Sequence, residues 1–114
     1  MILGHMAEDA AASWYAEHGY TVLARNWRCV QGEIDILCTC RNPPGCSTLV
    51  VCEVKARSSN SHGHPLEAVT APKQRRLRRL AALYLRQQPR RWPDIRFDVA
   101  AVLDGVLEVV EGAF

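Results

Sequence analysis

Leu49-Val50-Val51-Cys52-Glu53-Val54-Lys55-Ala56-Arg57 decides the fold. The run is short, apolar and rich in Val, the signature of a buried β-strand. Successive side chains on a strand point to opposite faces, so Glu53 and Lys55 share one face roughly 7 Å apart. Cys52 falls on the other face with Val50 and Val54 and reads as small apolar filling. Upstream, Gly32-Glu33-Ile34-Asp35-Ile36-Leu37 is a second strand in which Ile flanks Asp35 on both sides. A carboxylate in an apolar strand is unfavourable unless it is paired or metal-bound. Two such acids and a lysine on adjacent strands point to a divalent-metal site acting on phosphate.

Working outward, Ala7 to His18 is an Ala-rich helix closed by Gly19, with Glu8, Ala11, Ala12 and Tyr15 on one stripe. Tyr20 to Arg28 is a first strand, and Asn42-Pro43-Pro44-Gly45 turns residues 33 to 55 into a hairpin carrying Asp35 and Glu53 on its two arms. Ser58 to Pro65, with His62 and His64, is a polar surface loop. Thr70 caps a long helix with Pro72 in its first turn, running to about Gln88, with Leu77, Leu80, Ala81 and Tyr84 as its apolar stripe. Arg96 to Leu103 is a strand, and Asp104-Gly105 is a two-residue hairpin turn into a last strand through Val110. The expected fold is α/β (α+β): one domain over 1–114, a mixed central sheet of four to five strands flanked by helices. Residues 1–6, which include Gly4-His5-Met6, are given no structural weight.

The net charge of +2 hides an uneven distribution. Eight of the fourteen basic residues (Lys73, Arg75, Arg76, Arg78, Arg79, Arg86, Arg90 and Arg91) fall between Ala68 and Pro93, a stretch without Asp or Glu. A solvated helix face ordinarily mixes in acids, so this block fits a nucleic-acid backbone. Five cysteines, an odd number, argue against a disulfide framework, and Cys38-Thr39-Cys40 with Cys46 matches no usual zinc spacing. No apolar run approaches the ~20 residues that span a bilayer, and the amino terminus lacks a signal peptide's basic start, so the expected location is cytoplasmic.

Mg²⁺ or Mn²⁺ suits a site with few carboxylate oxygens and several waters, and Asp35 and Glu53 supply that pair if the hairpin sets them side by side. Glu8 reaches toward the site from the first helix as a water-mediated ligand. Lys55 is one of only two lysines against twelve arginines, and an ammonium, unlike a guanidinium, shifts its pKa when desolvated. Against this stand structural readings: Glu53 and Lys55 as an ion pair, Asp35 as the partner of Arg28 or Arg57. Trp27 reads as core or as a base-stacking residue, and Asp98 as a support for Lys73 or Arg57. Gln74 is a candidate contact near the scissile phosphate.

G-E-I-D at Gly32 to Asp35 followed by V-x-E-V-K at Val51 to Lys55 resembles the PD-(D/E)XK nuclease superfamily, here restriction-endonuclease-like. More narrowly the chain resembles the YraN family of small bacterial predicted endonucleases, similar to archaeal Holliday-junction resolvases. The supporting segments run from about Ala7 to Val102: Ala7-Glu8, Arg25-Asn26-Trp27-Arg28, Pro65-Leu66-Glu67-Ala68-Val69, Lys73 with Arg75 and Leu77, and Arg96-Phe97-Asp98-Val99. The resemblance implies Asp35 and Glu53 as metal-binding acids, Lys55 as catalytic lysine and Glu8 as a first-helix glutamate of the site. Gly32-Glu33 stands where the older form of the motif has Pro-Asp. The expected activity is a structure-selective, Mg²⁺-dependent DNA endonuclease in repair or recombination. Lys73, Gln74, Arg75, Arg76, Arg79, Arg57 and Arg28 are its expected nucleic-acid contacts. The expected partners are branched DNA, a second copy in a homodimer, and an accessory protein. The alternatives are a nucleic-acid-binding module with a silent site and, last, a cysteine-based zinc or redox sensor.

Overall fold

The computed structural model describes residues 2–40, 47–57 and 69–114, with side chains from Met6 onward except that of Arg57. The Asn42–Gly45 turn, Cys46 and the loop containing His62 and His64 lie outside the described residues. Along the chain come α1 (Ile2–Glu17), β1 (Tyr20–Cys29), β2 (Gly32–Cys40), β3 (Thr48–Arg57), α2 (Ala71–Arg86), β4 (Asp94–Leu103) and β5 (Val106–Val110). The strands form one sheet in chain order, antiparallel except for the parallel pair β3–β4, whose crossover is α2. The expected α-β-β-β-α-β-β order and mixed sheet are present. One correction concerns the start of α1: it begins at Ile2 rather than Ala7, because no Pro interrupts the segment and a mid-helix Gly4 costs only about 1 kcal/mol.

Two apolar clusters fill the two faces of the sheet. Ala11 and Tyr15 of α1 pack on Ile36, Cys38, Val50, Cys52 and Ala100. Leu77, Leu80, Ala81 and Tyr84 of α2 pack on Leu37, Leu49, Val51, Phe97 and Val99. Cys52 is apolar filling, as its strand position required, and Trp27 is core, edge-on to Tyr84 with ring centroids 5.5 Å apart. Thr70 Oγ1 accepts from the amide of Lys73, so the cap expected for α2 is present, and the helix closes at Arg86 with Gln87 as its C-cap. Asp104 and Gly105 both take positive φ, 50° and 81°, as a tight two-residue hairpin turn demands.

Strict alternation fails where β1 and β2 run together. Ile34 belongs to the α2 cluster, whereas Ile36 and Cys38 belong to the α1 cluster, so the side-chain phase of β2 slips at Asp35. Across the ladder Arg25 pairs with Ile36 and Trp27 with Ile34, which puts Asn26 opposite Asp35, and Asn26 sits at φ 53°. Asn is among the few non-glycine residues that tolerate this left-handed conformation. Paired irregularities of this kind re-aim side chains and occur beside active sites.

Asp98 is fully buried on the α1 face, and Lys73 is engaged by Glu53 instead. Its carboxylate accepts from Tyr15 Oη at 2.6 Å, from Arg96 Nε and Nη2 at 2.9 Å each, and from the Gly112 amide at 3.0 Å. The network ties α1, β4 and the carboxyl-terminal segment together. Removing one partner of a buried charged pair typically costs about 3–5 kcal/mol because the other charge is stranded. Arg96 keeps some solvent access, so Asp98→Ala is expected to lose about 3 kcal/mol of unfolding free energy in urea titration. A loss below about 1 kcal/mol would show that the network does not anchor the fold.

Candidate active site

The site forms where β2 and β3 part. The two strands pair antiparallel from Thr39–Leu49 to Ile36–Cys52. Beyond that point β2 stays with β1 as far as Gly32, and β3 stays with β4 as far as Arg57. The register, continued one step, sets Asp35 opposite Glu53. The fork opens a cavity of about 380 Å³ lined by Glu33, Asp35, Glu53, Lys55, Lys73 and Arg76, with Gly32 at its edge. Gly32 (φ 145°) lets α2 close on the strand: a Cβ there would stand 3.3 Å from Leu80 Cδ1.

Asp35 and Glu53 face each other in this cavity, close enough for each carboxyl to perturb the other. Asp35 Oδ2 also accepts from the Val54 amide at 2.8 Å, so Asp35 answers β3, while Arg28 is paired with Glu33. Burial, then the neighbouring Glu53, pushes the Asp35 carboxyl up to about 7. Burial works the same way on Glu53, but the Asp35 proton, Lys73 and Lys55 outweigh it and hold this carboxyl below the usual range. The pair shares one proton, and it resides on Asp35.

The chain's only two lysines converge on Glu53. Lys55 Nζ stands 3.8 Å from Glu53 Oε2, and Lys73 Nζ, from the first turn of α2, lies directly against the same atom. Lys73 is thus the near counter-charge of this buried oxygen, and Lys55 stands beyond hydrogen-bond distance. Burial, then the ammonium of Lys73, pushes Lys55 down, while attraction to Glu53 outweighs burial and raises Lys73. Sequence reasoning had placed Lys73 among the phosphate contacts. Its rarity as a lysine in an arginine-rich segment was the available signal.

The remaining candidates divide. Arg76 lines the cavity, and Arg75 and Arg79 are exposed on α2. Gln74 instead turns its amide to the Val69 carbonyl at 3.1 Å. Arg28 is paired with Glu33 at 2.9 Å near the rim, and the Arg57 side chain lies outside the described residues. Glu8 does not line the cavity: its Oε1 accepts from Arg25 Nε at 2.8 Å and from Asn26 Nδ2 at 3.0 Å. It holds the left-handed residue that stands opposite Asp35.

Among the described residues no three His, Cys, Asp or Glu side chains form a metal-holding group. Asp35 and Glu53 alone suit a hard cation that keeps waters and takes further oxygens from substrate, and the buried Oε2 of Glu53 is an anionic oxygen still lacking a hydrogen bond. Among the described residues the cysteines join no metal-holding group. Cys38 is buried in the α1 core, where burial pushes its thiol up to about 12. Cys40, at the end of β2, is disulfide-bonded, a single bond and not a framework.

With this geometry in view, comparison with known proteins is specific. A family described as "Uncharacterised protein family UPF0102" matches residues 7–102. The chain belongs to the UPF0102 family. It is 46% identical over 101 residues to a UPF0102 protein of Clavibacter michiganensis subsp. michiganensis (89% of this chain, 81% of the relative). It is 48% identical over 103 residues to one of Mycobacterium avium (90% and 78%). A third, from Chlorobium phaeobacteroides, is 46% identical over 101 residues (89% and 76%). The matched span in UPF0102 is the one that carries the ordered motifs.

The shared proton has a consequence for stability. Between about pH 4 and pH 7 the folded protein keeps a proton on Asp35 that the unfolded chain has released. Folded Asp35 therefore favours folding at low pH, and stability falls as pH rises through this window, by up to about 1.4 kcal/mol per pH unit. Asp35→Asn mimics the protonated acid and is expected to match the parent near pH 4.5 and exceed it above pH 7 in urea denaturation. An equal pH dependence for the two proteins would rule out the buried shared proton.

Proposed function

We propose that this UPF0102 chain is a metal-dependent DNA endonuclease of the PD-(D/E)XK, resolvase-like kind. The observation that carries the reading is the meeting of a buried carboxyl, Glu53, and a half-buried one, Asp35, with the chain's only two lysines, at a strand fork walled by an acid-free arginine helix. Asp35 and Glu53 would hold Mg²⁺ or Mn²⁺, which when bound supplies charge neutralisation at the phosphodiester and a more acidic water. Lys55, whose burial favours its neutral form, orients the attacking water and takes its proton at Nζ. Lys73 is the counter-charge of Glu53 in the metal-free protein and turns to phosphate when a cation takes over that role. Arg75, Arg76 and Arg79 grip the backbone beside the cavity. Phosphate contacts fix register and not base sequence, so the preference is for branches, flaps or ends.

A second reading, a binding module with a silent site, draws on Lys73 itself: an ammonium on Glu53 already balances the site without a metal. Labelled linear, flapped and four-way-junction DNA with Mg²⁺ or Mn²⁺ separates the two. The parent protein should cut, EDTA should abolish cutting, and Glu53→Gln and Lys55→Ala should each lose at least 10²-fold in rate while still binding. Binding without cutting by all proteins would favour the module, and equal cutting by all would exclude this site.

A metal titration probes Lys73 directly. Lys73→Met removes a competing positive charge from Glu53 and is expected to tighten Mn²⁺ binding by calorimetry in the absence of DNA. Weaker binding than the parent's would mean that Lys73 supports the cation site instead of guarding it.

A further inference from the structure

A second cavity, of about 360 Å³, lies at the far end of α2, walled by Arg86, Gln88, Arg90, Arg91 and Trp92. Its floor is fixed: Trp92 is buried, its indole Nε1 donates to Thr39 Oγ1 at 3.0 Å, and the Arg90 guanidinium lies 4.8 Å over its ring centroid. All three arginines are exposed, and among the described residues none is paired with a carboxylate. They are not needed to close the helix. The Tyr84 and Leu85 carbonyls already accept from the backbone amides of Gln87 and Gln88 at 3.0 and 3.2 Å. Arg86 and Arg91, with Arg90 stacked on the aromatic floor, set three cations around one cavity, a site for an anion.

A track of charge joins this cavity to the active site. Arg75, Arg79 and Arg86, with exposed Ala82 between the last two, fall at i, i+4, i+7 and i+11 along one face of α2. Arg78 does not belong to it, because its guanidinium lies over the rings of Phe97 and Phe114 at 4.8 and 5.5 Å. At 1.5 Å of rise per residue, Lys73 and Arg86 are separated by roughly 20 Å along the helix.

We propose that the Arg86–Trp92 cavity is a second phosphate site, holding the nucleic-acid backbone roughly 20 Å from the scissile phosphate. This deepens the nuclease reading and rests on it. One strand of duplex presents a phosphate about every 3.4 Å of axis, so the two sites together span about six nucleotides. The protein then requires a duplex arm of at least that length on the α2 side of the cut.

The test is equilibrium binding of fluorescent duplexes of about 6 and 20 base pairs to the full chain, by anisotropy in EDTA across a salt series. For the long duplex, Arg86→Gln/Arg90→Gln/Arg91→Gln should weaken binding at least ten-fold and flatten the log–log salt slope by about 2 to 3. The parent should bind the short duplex more weakly than the long one, and the triple variant should narrow that difference. Replacing the same three residues by Lys should restore the slope, which a folding defect would not allow. A triple variant with the parental slope on the long duplex would overturn the second site while leaving the nuclease reading intact. A parent that binds neither duplex would overturn both.

Discussion

Burying two carboxyls side by side is the constraint on which the rest of this molecule depends. Neither Asp35 nor Glu53 is placed where an isolated strand would keep an anion, and like charges so close do not both ionise in a poorly solvated cavity. The fold meets the difficulty in three ways: a proton retained on Asp35, an amide from Val54 on its oxygen, and two ammoniums on Glu53. The sources are drawn from β2, from β3 and from the first turn of α2. The fork between β2 and β3, the extension of β3 along β4 and the docking of α2's first turn are therefore parts of one electrostatic arrangement.

The α1 face supplies the stiffness. Glu8, held to Arg25 and Asn26, fixes the strand irregularity that aims Asp35, and Asp98, level with Cys52 in the sheet, clamps Tyr15, Arg96 and Gly112. Both networks consist of charged groups whose hydrogen bonds are directional, so they specify position as well as stability. The α2 face differs in kind. Its polar groups point to cavities or to solvent, and its cations outnumber its acids. Structure on one face and an open charged surface on the other is the division expected of a sheet that presents a site to a large polyanion.

What was legible in the sequence followed from periodicity and from local chemistry. β3 and α2 show their faces through alternation and the 3.6-residue stripe, and the Thr70 cap and the Asp104-Gly105 turn are read from single residues. The phase slip at Asn26 and Asp35 was not legible, because alternation assumes an unbroken pleat and Asn at positive φ breaks it. Glu8 is buried as its place on the stripe requires, but its partners Arg25 and Asn26 were not legible, since a stripe fixes the face of a helix and not what lies beneath it. The bond at Cys40 was not legible either: an odd number of cysteines argues against a framework and says nothing of one bond at a strand end.

The lysine pair shows why composition and geometry have to be read together. An arginine at position 73 would also neutralise Glu53, but its planar fork would engage a carboxylate with two directed hydrogen bonds and hold on to it. Lys73 instead sets one compact ammonium against a single oxygen, Glu53 Oε2. Such a contact is strong only while nothing of higher charge competes for the oxygen. A divalent cation at the carboxyl pair removes the reason for Lys73 to stay, and a phosphate at the cavity mouth gives it somewhere to go. Because linkage is reciprocal, whichever of the two ligands arrives first lowers the free-energy requirement for the other. In the proposed nuclease, an apo site balanced by a lysine would thus stay folded and inactive until metal and polyanion are both present.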